Sequence, residues 1–329
     1  MTSMPLSVGD VQLDPPVALA PLAGITDLPF RQLVARFGIG WVVSEMVASQ
    51  EMVQAKPGVR ERAEIGADQA RTAVQIAGRE AYWMAEAARQ LEGQGARLID
   101  INMGCPAKKV TNGYSGSALL KDLDHALSLI DAVVAAVSVP VTLKTRLGWD
   151  DTLLNAADLA QRAEAAGIKM LTIHGRTRCQ FYKGHADWAA INPIVTSVSI
   201  PVIANGDITD TKSAKQALAA SGAAGVMIGR GAQGRPWAPA QVASVLFGSP
   251  APDVPKGASL TAMVSEHYES MLAFYGADLG SRVARKHLGW YMDDADTPPA
   301  LRRHILTSPP KEVLARIGEA LNTSESAAA

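Results

Sequence analysis

Val202-Ile203-Ala204-Asn205-Gly206-Asp207 and, further along, Val226-Met227-Ile228-Gly229-Arg230-Gly231 are two short apolar runs, each ending abruptly in glycine and charge. A run of apolar residues without polar alternation is what a parallel strand covered on both faces requires. A glycine turn beside an arginine is what a phosphate needs, because backbone N–H groups can approach the anion and the guanidinium adds a charged fork. Outward from this pair the pattern recurs. Val17–Ala20, Trp41–Val43, Ala73–Ile76, Leu98–Ile101, Val141–Lys144 and Met170–Ile173 bring the candidate strands to eight. They are spaced by roughly 24 to 42 residues, room for one βα unit each. Between them Glu80–Leu91, Leu153–Ala166 and Lys212–Ala220 are Ala-rich and read as helices, two of them closed by Gly167 and Gly222. An open doubly wound sheet usually has fewer strands and begins on a Gly-rich turn, whereas the first turn here is Pro21-Leu22-Ala23-Gly24. The expected fold is α/β: a (β/α)8 TIM barrel over residues 1–245.

Past the barrel the composition changes. Gly248–Gly257 (GSPAPDVPKG) is a Pro/Gly stretch, read as a linker over 246–258. Ser259–Tyr275, Ser281–Met292 and Pro310–Asn322 look helical, with Asp293–Pro299 as an interruption. A small all-helical domain over 259–329 is expected, its last residues, Ser324–Ala329, frayed.

The whole chain has 329 residues and is 48% hydrophobic and 19% charged, which excludes disorder as a general description. No run is long enough for a membrane span. The start, Met1–Pro16, lacks the basic and apolar segments of a secretory signal, so a cytoplasmic protein is expected. Two cysteines, Cys105 and Cys179, make neither a disulfide framework nor a four-thiolate zinc site, and no metal is expected. Lys and Arg number 31 against 32 Asp and Glu, so no global charge argues for nucleic acid.

In a barrel of this kind function sits where strands end and βα loops begin. Polar residues crowd those places: Asn102-Met103-Gly104-Cys105-Pro106, Lys144-Thr145-Arg146, His174-Gly175-Arg176-Thr177-Arg178, Asn205-Gly206-Asp207 and Gly229-Arg230-Gly231. The last two fit a phosphate site; simple tight turns are the alternative. Lys144 at the barrel mouth could stabilise negative charge or form a Schiff base. His174 is as readily a satisfied histidine at the mouth as a functional one. Cys105, in a Gly-Cys-Pro turn, could donate a proton or, once deprotonated, act as a nucleophile. Cys179 is assigned no chemistry.

Taken together, APLAGITDLPFR (Ala20–Arg31), INMGCP (Ile101–Pro106), LKTRLGW (Leu143–Trp149), IHGRTR (Ile173–Arg178), ANGDI (Ala204–Ile208), MIGRGAQGRPW (Met227–Trp237) and RKHLGWY (Arg285–Tyr291) resemble the tRNA-dihydrouridine synthases. The likeness covers nearly the whole chain and is greatest to the bacterial B-type branch. It implies FMN as cofactor, met by the backbone of Pro21, Leu22 and Ala23, by Gln75 at the ring edge, and by Lys144 and His174. Asn205, Gly206, Asp207, Gly229 and Arg230 would hold the ribityl and phosphate groups.

The reaction so implied is reduction of uridine to 5,6-dihydrouridine in the tRNA D-loop, position 17 by likeness to the B-type branch. Hydride from reduced FMN goes to C6 and a proton from Cys105 to C5, with NADPH restoring the flavin in a ping-pong cycle. Asn102, Arg146, Arg176 and Arg178 would contact the substrate base or its surroundings. The appended helices would bind the tRNA body through Arg282, Arg285, Lys286 and His287, and a basic stripe should join these helices to Lys108, Lys109, Arg176 and Arg178. A monomer without a stable protein partner is expected. Other FMN barrels with small-molecule substrates, and a non-catalytic RNA-binding barrel, are the rival readings.

Overall fold

The computed structural model of the chain describes residues 5–56, 58–59, 61–66 and 71–322; the tail expected to fray, Ser324–Ala329, lies outside them. A short antiparallel hairpin comes first, β1 (Leu6–Val8) and β2 (Val11–Leu13). The barrel strands follow as β3 (Val17–Leu19), β4 (Trp41–Val43), β6 (Thr72–Ala77), β7 (Leu98–Met103), β8 (Val141–Arg146), β9 (Met170–His174), β10 (Val202–Asn205) and β11 (Gly225–Ile228). A two-residue strand, β5 (Val47–Ala48), adds to the end of β6. All barrel pairings are parallel, in the order β3-β4-β6-β7-β8-β9-β10-β11, and β11 pairs back onto β3 to close the ring. Each of the eight apolar runs is a barrel strand.

Alternation along the strands sorts the residues into layers. Val74, Ile76, Ile99, Ile101, Leu143, Leu171 and Ile173 face outward into the core shared with the surrounding helices. Ala18, Trp41, Val43, Ala73, Leu98, Met170, Ile203 and Met227 form the lowest inward layer, and Leu6, Val8, Val11 and Leu13 of the hairpin pack beneath it. Those four side chains are buried, each worth roughly 1.5–3 kcal/mol of apolar transfer, so the hairpin seals the bottom of the barrel. Above that floor the inward positions turn polar: Asp100, Thr142 and Thr172, then Gln75, Asn102, Lys144, His174 and Asn205 at the mouth.

Among the described residues four helices follow the barrel, where three were expected: Gly257–Tyr275, Ala277–Asp294, Pro299–Thr307 and Pro310–Leu321. The added one, PALRRHILT, starts on Pro299, which suits a first helical turn where no N–H bond is lost. Their core of Val264, Met271, Leu288, Met292, Ile305, Val313 and Ile317 takes in Leu33 and Trp237 from barrel elements. His287, expected on an RNA-binding face, is 2% exposed and lies between Phe30 and His267, with ring centroids 5.0 Å away in both cases. A helix of alternating fate explains the correction: Arg282 and Arg285 point out while Ala284, His287 and Leu288 lie on the packed stripe.

Polar contacts fix the helices to the loop after β3. The Tyr275 hydroxyl donates to Asp27 Oδ2 at 3.0 Å, Lys286 Nζ donates to the Gly24 carbonyl, and Arg36 pairs with Glu266 at 2.6 Å. Asp27 also accepts the Phe30 N–H at 3.0 Å, capping helix Leu28–Ala35. Burial pushes the Asp27 carboxyl up to about 6, against the hydrogen bonds from Phe30 and Tyr275. Between the ordinary carboxylate range and pH 6 the folded chain therefore holds a proton that the unfolded chain has lost, and stability falls as pH rises through that window. Asp27→Asn, which keeps an acceptor for the cap, should gain on the wild type by roughly 2–3 kcal/mol between pH 4 and pH 7. Paired melting curves at the two pH values test this; a constant difference would refute it.

Candidate active site

The mouth of the barrel opens into a cavity of about 800 Å³. One wall is the loop after β3, with Pro21, Leu22, Ala23 and Ile25; Met46 stands beside it. Gln75, Asn102, Cys105, Lys144, Arg146, His174 and Asn205 line it too, and the turns after β10 and β11 bring Gly206, Asp207, Gly229, Arg230 and Gly231. Residues far apart in sequence meet here because each ends an inward register position of a neighbouring strand; Asn102 is opposite Lys144 and Arg146 opposite His174.

The polar side chains hold one another. Asp100 accepts from Gln75 Nε2 at 2.7 Å and from the Thr142 hydroxyl at 2.6 Å. Gln75 Oε1 accepts from Asn102 Nδ2 at 2.7 Å. Asn102 Oδ1 accepts the N–H groups of Gly104 and Cys105 at 3.2 and 3.0 Å, which shapes the turn that carries the thiol. The Cys105 carbonyl takes the Ser117 hydroxyl at 2.8 Å, and the cysteine itself is half-buried. Lys144 Nζ donates to Asn205 Oδ1 at 2.9 Å, and Asn205 Nδ2 to the Met227 carbonyl at 2.8 Å. Burial, reinforced by the charge of Arg146, lowers the Lys144 ammonium to about 8.

Arg146 is 2% exposed and spends Nε on the Gly104 carbonyl and Nη1 on those of Thr177 and Phe181. It therefore fixes the loops after β7 and β9 while still lining the cavity. Arg176 does not line it. That guanidinium is 1% exposed and donates to the carbonyls of Lys183 and Gly184 and to both oxygens of Asp207. Its place among the substrate contacts is corrected accordingly: its donors are consumed inside the protein, and it drops out of the basic stripe. Its Nη1 also lies 3.3 Å from His174 Nε2; since an arginine can only donate, Nε2 accepts and the imidazole proton sits on Nδ1. Burial and the charges of Arg146, Lys144, Arg176 and Arg230 hold His174 well below its ordinary range, so it is neutral.

Asp207 lies between Arg176 and Arg230, the latter at 3.0 Å, and accepts the Ala186 N–H at 2.8 Å. Burial alone would raise its carboxyl, but those hydrogen bonds and the two cations win and hold it below the usual range. An ionised carboxylate so placed aims Arg230, which is half exposed, at whatever anion enters the cavity. Gly206 has φ +110°, and a Cβ there would come within 2.7 Å of the His174 ring, so only glycine fits the turn.

Arg178 is outside the cavity. It bonds the Thr111 hydroxyl at 3.1 Å and stacks on Trp149 at 4.4 Å, beside the exposed Lys108 and Lys109 of helix Lys108–Thr111. Arg285 and Arg282 are exposed on the appended helices, and Lys286 reaches the lip at Gly24. Sequence reasoning missed Tyr182, which is 55% exposed and lies over the cavity with the guanidiniums of Arg146 and Arg230 at 5.6 and 5.5 Å from its ring. It missed Asp100 as well, although a carboxylate inside an apolar strand was a signal for it. Among the described residues no group of three or more His, Cys, Asp and Glu is placed to hold a metal, and no helix is long and apolar enough to cross a membrane.

Fold and cavity together define a (β/α)8 barrel protein with a polar, multiply charged site at the C-terminal mouth of its strands. The family profile described as Dihydrouridine synthase (Dus) matches residues 18–323. The chain belongs to that family. It is 60% identical over 326 residues to a protein of Rhodobacter capsulatus named "Probable tRNA-dihydrouridine synthase", with 98% of this chain and 100% of that one covered. It is 46% identical over 289 residues to "tRNA-dihydrouridine synthase B" of Xanthomonas axonopodis pv. citri, covering 88% and 87% of the two chains. Among solved structures, histamine dehydrogenase from Rhizobium sp. 4-9 superposes with a TM-score of 0.56 at 12% identity over 80% of this chain. A 2-naphthoyl-CoA reductase superposes with a TM-score of 0.59 at 13% identity over 75% of it. This chain covers 50% and 53% of those two structures, and the likeness is one of fold.

Proposed function

We propose that the chain reduces uridine to 5,6-dihydrouridine in the D-loop of tRNA, position 17 being the expected site, as a monomeric cytoplasmic enzyme using FMN and NADPH. The observation that carries this reading is the meeting, in one cavity, of the Cys105 thiol, the Lys144 ammonium, the neutral His174 and the Arg230 turn. The residues fit a flavin nucleotide. The cavity is large enough, the wall at Pro21–Ala23 is apolar, and Arg230 with the glycine turns of 206 and 229 suits a phosphate. Pro21, Leu22, Ala23, Gln75, Lys144 and His174 would hold the ring, and Asn205, Gly206, Gly229 and Arg230 the chain and phosphate; Asp207 serves by orienting Arg230. When bound, the flavin supplies hydride.

The protein's own residues do the rest. Cys105 gives its thiol proton to C5 of the uracil. Lys144 and Asn102 donate towards the oxygen on which negative charge gathers, and in a site closed to bulk water such donors act strongly. Arg146 keeps the loops after β7 and β9 in place around the base. A base reaches this depth only when pulled out of the folded RNA. The barrel of residues 1–245, the linker of 246–258 and the helices of 259–329 then divide the work, with Lys108, Lys109, Arg178, Arg282, Arg285 and Lys286 meeting RNA phosphates. Position-resolved mass spectrometry of tRNA from cells with and without the gene tests the reading. Loss of the two-hydrogen mass increment at one D-loop uridine is expected; an unchanged tRNA that the purified enzyme also leaves unreduced would refute it.

A further inference from the structure

Three consecutive hydrogen bonds on the cavity floor point one way. The Cys105 N–H donates to Asn102 Oδ1 at 3.0 Å, Asn102 Nδ2 to Gln75 Oε1 at 2.7 Å, and Gln75 Nε2 to Asp100 Oδ2 at 2.7 Å. The outer end has fixed polarity, because the backbone N–H groups of Gly104 and Cys105 only donate to Asn102 Oδ1. At the inner end burial raises the Asp100 carboxyl, the bonds from Gln75 and Thr142 and the charge of Lys144 oppose that, and the oxygen facing Gln75 accepts. The two amides between them have no freedom to turn over, and bonds aligned in this way reinforce one another. Gln75 and Asn102 line the cavity, whereas Asp100 is 4% exposed and lies beneath it, so a partner lost at Asp100 leaves a buried polar atom unpaired. The second Asp100 oxygen is occupied by the Thr142 hydroxyl at 2.6 Å, which fixes the carboxyl plane.

The inventory of Asn102 decides what the cavity receives. Its oxygen already accepts two N–H groups, from Gly104 and Cys105, and its nitrogen has given one hydrogen to Gln75. What remains is a single N–H. We propose that Asp100 is a positioning residue that locks, from the inner end, the polarity which the Gly104 and Cys105 N–H groups impose on Asn102 and through it on Gln75, so that position 102 can only donate to the substrate and thereby selects a ring carbonyl over a ring amino group. A uracil carbonyl accepts from that N–H, whereas a cytosine amino group would set donor against donor. The specificity part rests on the uridine-reducing function proposed above; the polarity of the chain does not.

A double-mutant cycle separates the two. Asn102→Asp keeps an acceptor for the Cys105 turn but sets a second acceptor against Gln75. Gln75 can satisfy it only by turning its oxygen onto Asp100. Adding Asp100→Asn removes that conflict: the new amide at position 100 donates to Gln75 and Gln75 donates to position 102, so the two side-chain bonds are restored in the opposite sense while the bond from the Cys105 N–H keeps its own. At pH 8, N102D should melt several degrees below the wild type, and D100N/N102D should recover at least half of the loss. The rescued protein should still turn over uridine-containing tRNA about 10²-fold or more below the wild type, since position 102 now offers no donor. Losses in Tm that add, or no loss in N102D, would overturn the polarity chain. Rescue of turnover along with Tm would overturn the donor role of Asn102. If the wild type itself fails to reduce tRNA, the function falls, while the melting cycle still reports on Asp100.

Discussion

Cys105→Ala is expected to lower turnover on tRNA by about 10²- to 10⁴-fold, the range for removing a positioned general acid. Flavin content and its reduction by NADPH should change little, because the Asn102 oxygen meets the backbone of this turn and not its sulfur. The sulfur lines the cavity, and the turn is held by Asn102, Ser117 and Arg146 through the backbone of residues 104 and 105. Alanine thus deletes the proton and leaves the scaffold. Cys179 is exposed and outside the cavity, so Cys179→Ala is the matched control and should be silent. Stopped-flow reduction by NADPH followed by single-turnover oxidation with tRNA separates the halves. Equal loss in both would mean that the cysteine holds the fold of the site and is not its acid.

Lys144→Met should cost about 10²- to 10³-fold in the same oxidative half, the size expected for one donor aimed at developing charge. The buried ammonium titrates near 8, because burial and Arg146 both disfavour the charge. The active, protonated form is therefore the one below that value, and the wild-type rate should decline as pH rises through 8. The methionine variant should keep a small rate without that alkaline limb. A limb that persists near 8 in Lys144→Met would assign the titration to another group, and the role of Lys144 with it.

Much of this was legible because the physics was local. A strand buried on both faces has to be a continuous apolar run, and eight such runs could be read directly. Strand ends are where polarity breaks through, which is why Asn102, Cys105, Lys144, His174, Asn205 and Arg230 could be named as residues of the barrel mouth before any geometry, and all six line the cavity. The hairpin was missed because its strands are three residues long, although Leu6-Ser7-Val8 and Val11-Gln12-Leu13 alternate about Gly9-Asp10. Arg176 was misread for a different reason. Its partner Asp207 is on another strand end, and no local pattern says whether an arginine faces a ligand or a carboxylate. His287 shows the same limit on a helix, where one register step separates the solvent from Phe30. Asp100 stood in plain view inside LIDINM, but its value depends on Gln75, which only the β6–β7 register brings opposite.

The hairpin beneath the barrel has a further consequence. The inward layer of Trp41, Met170, Met227 and their neighbours fills the barrel axis, and Leu6, Val8, Val11 and Leu13 cover it from below, so the barrel is a cup with a solid base. Everything that visits its floor comes and goes by one rim, past Tyr182 and Arg230. In the reaction proposed above, a dinucleotide and a folded RNA would both use that rim, and they would take turns there. For a protein that works as proposed here, the order of the reaction is written into its plumbing.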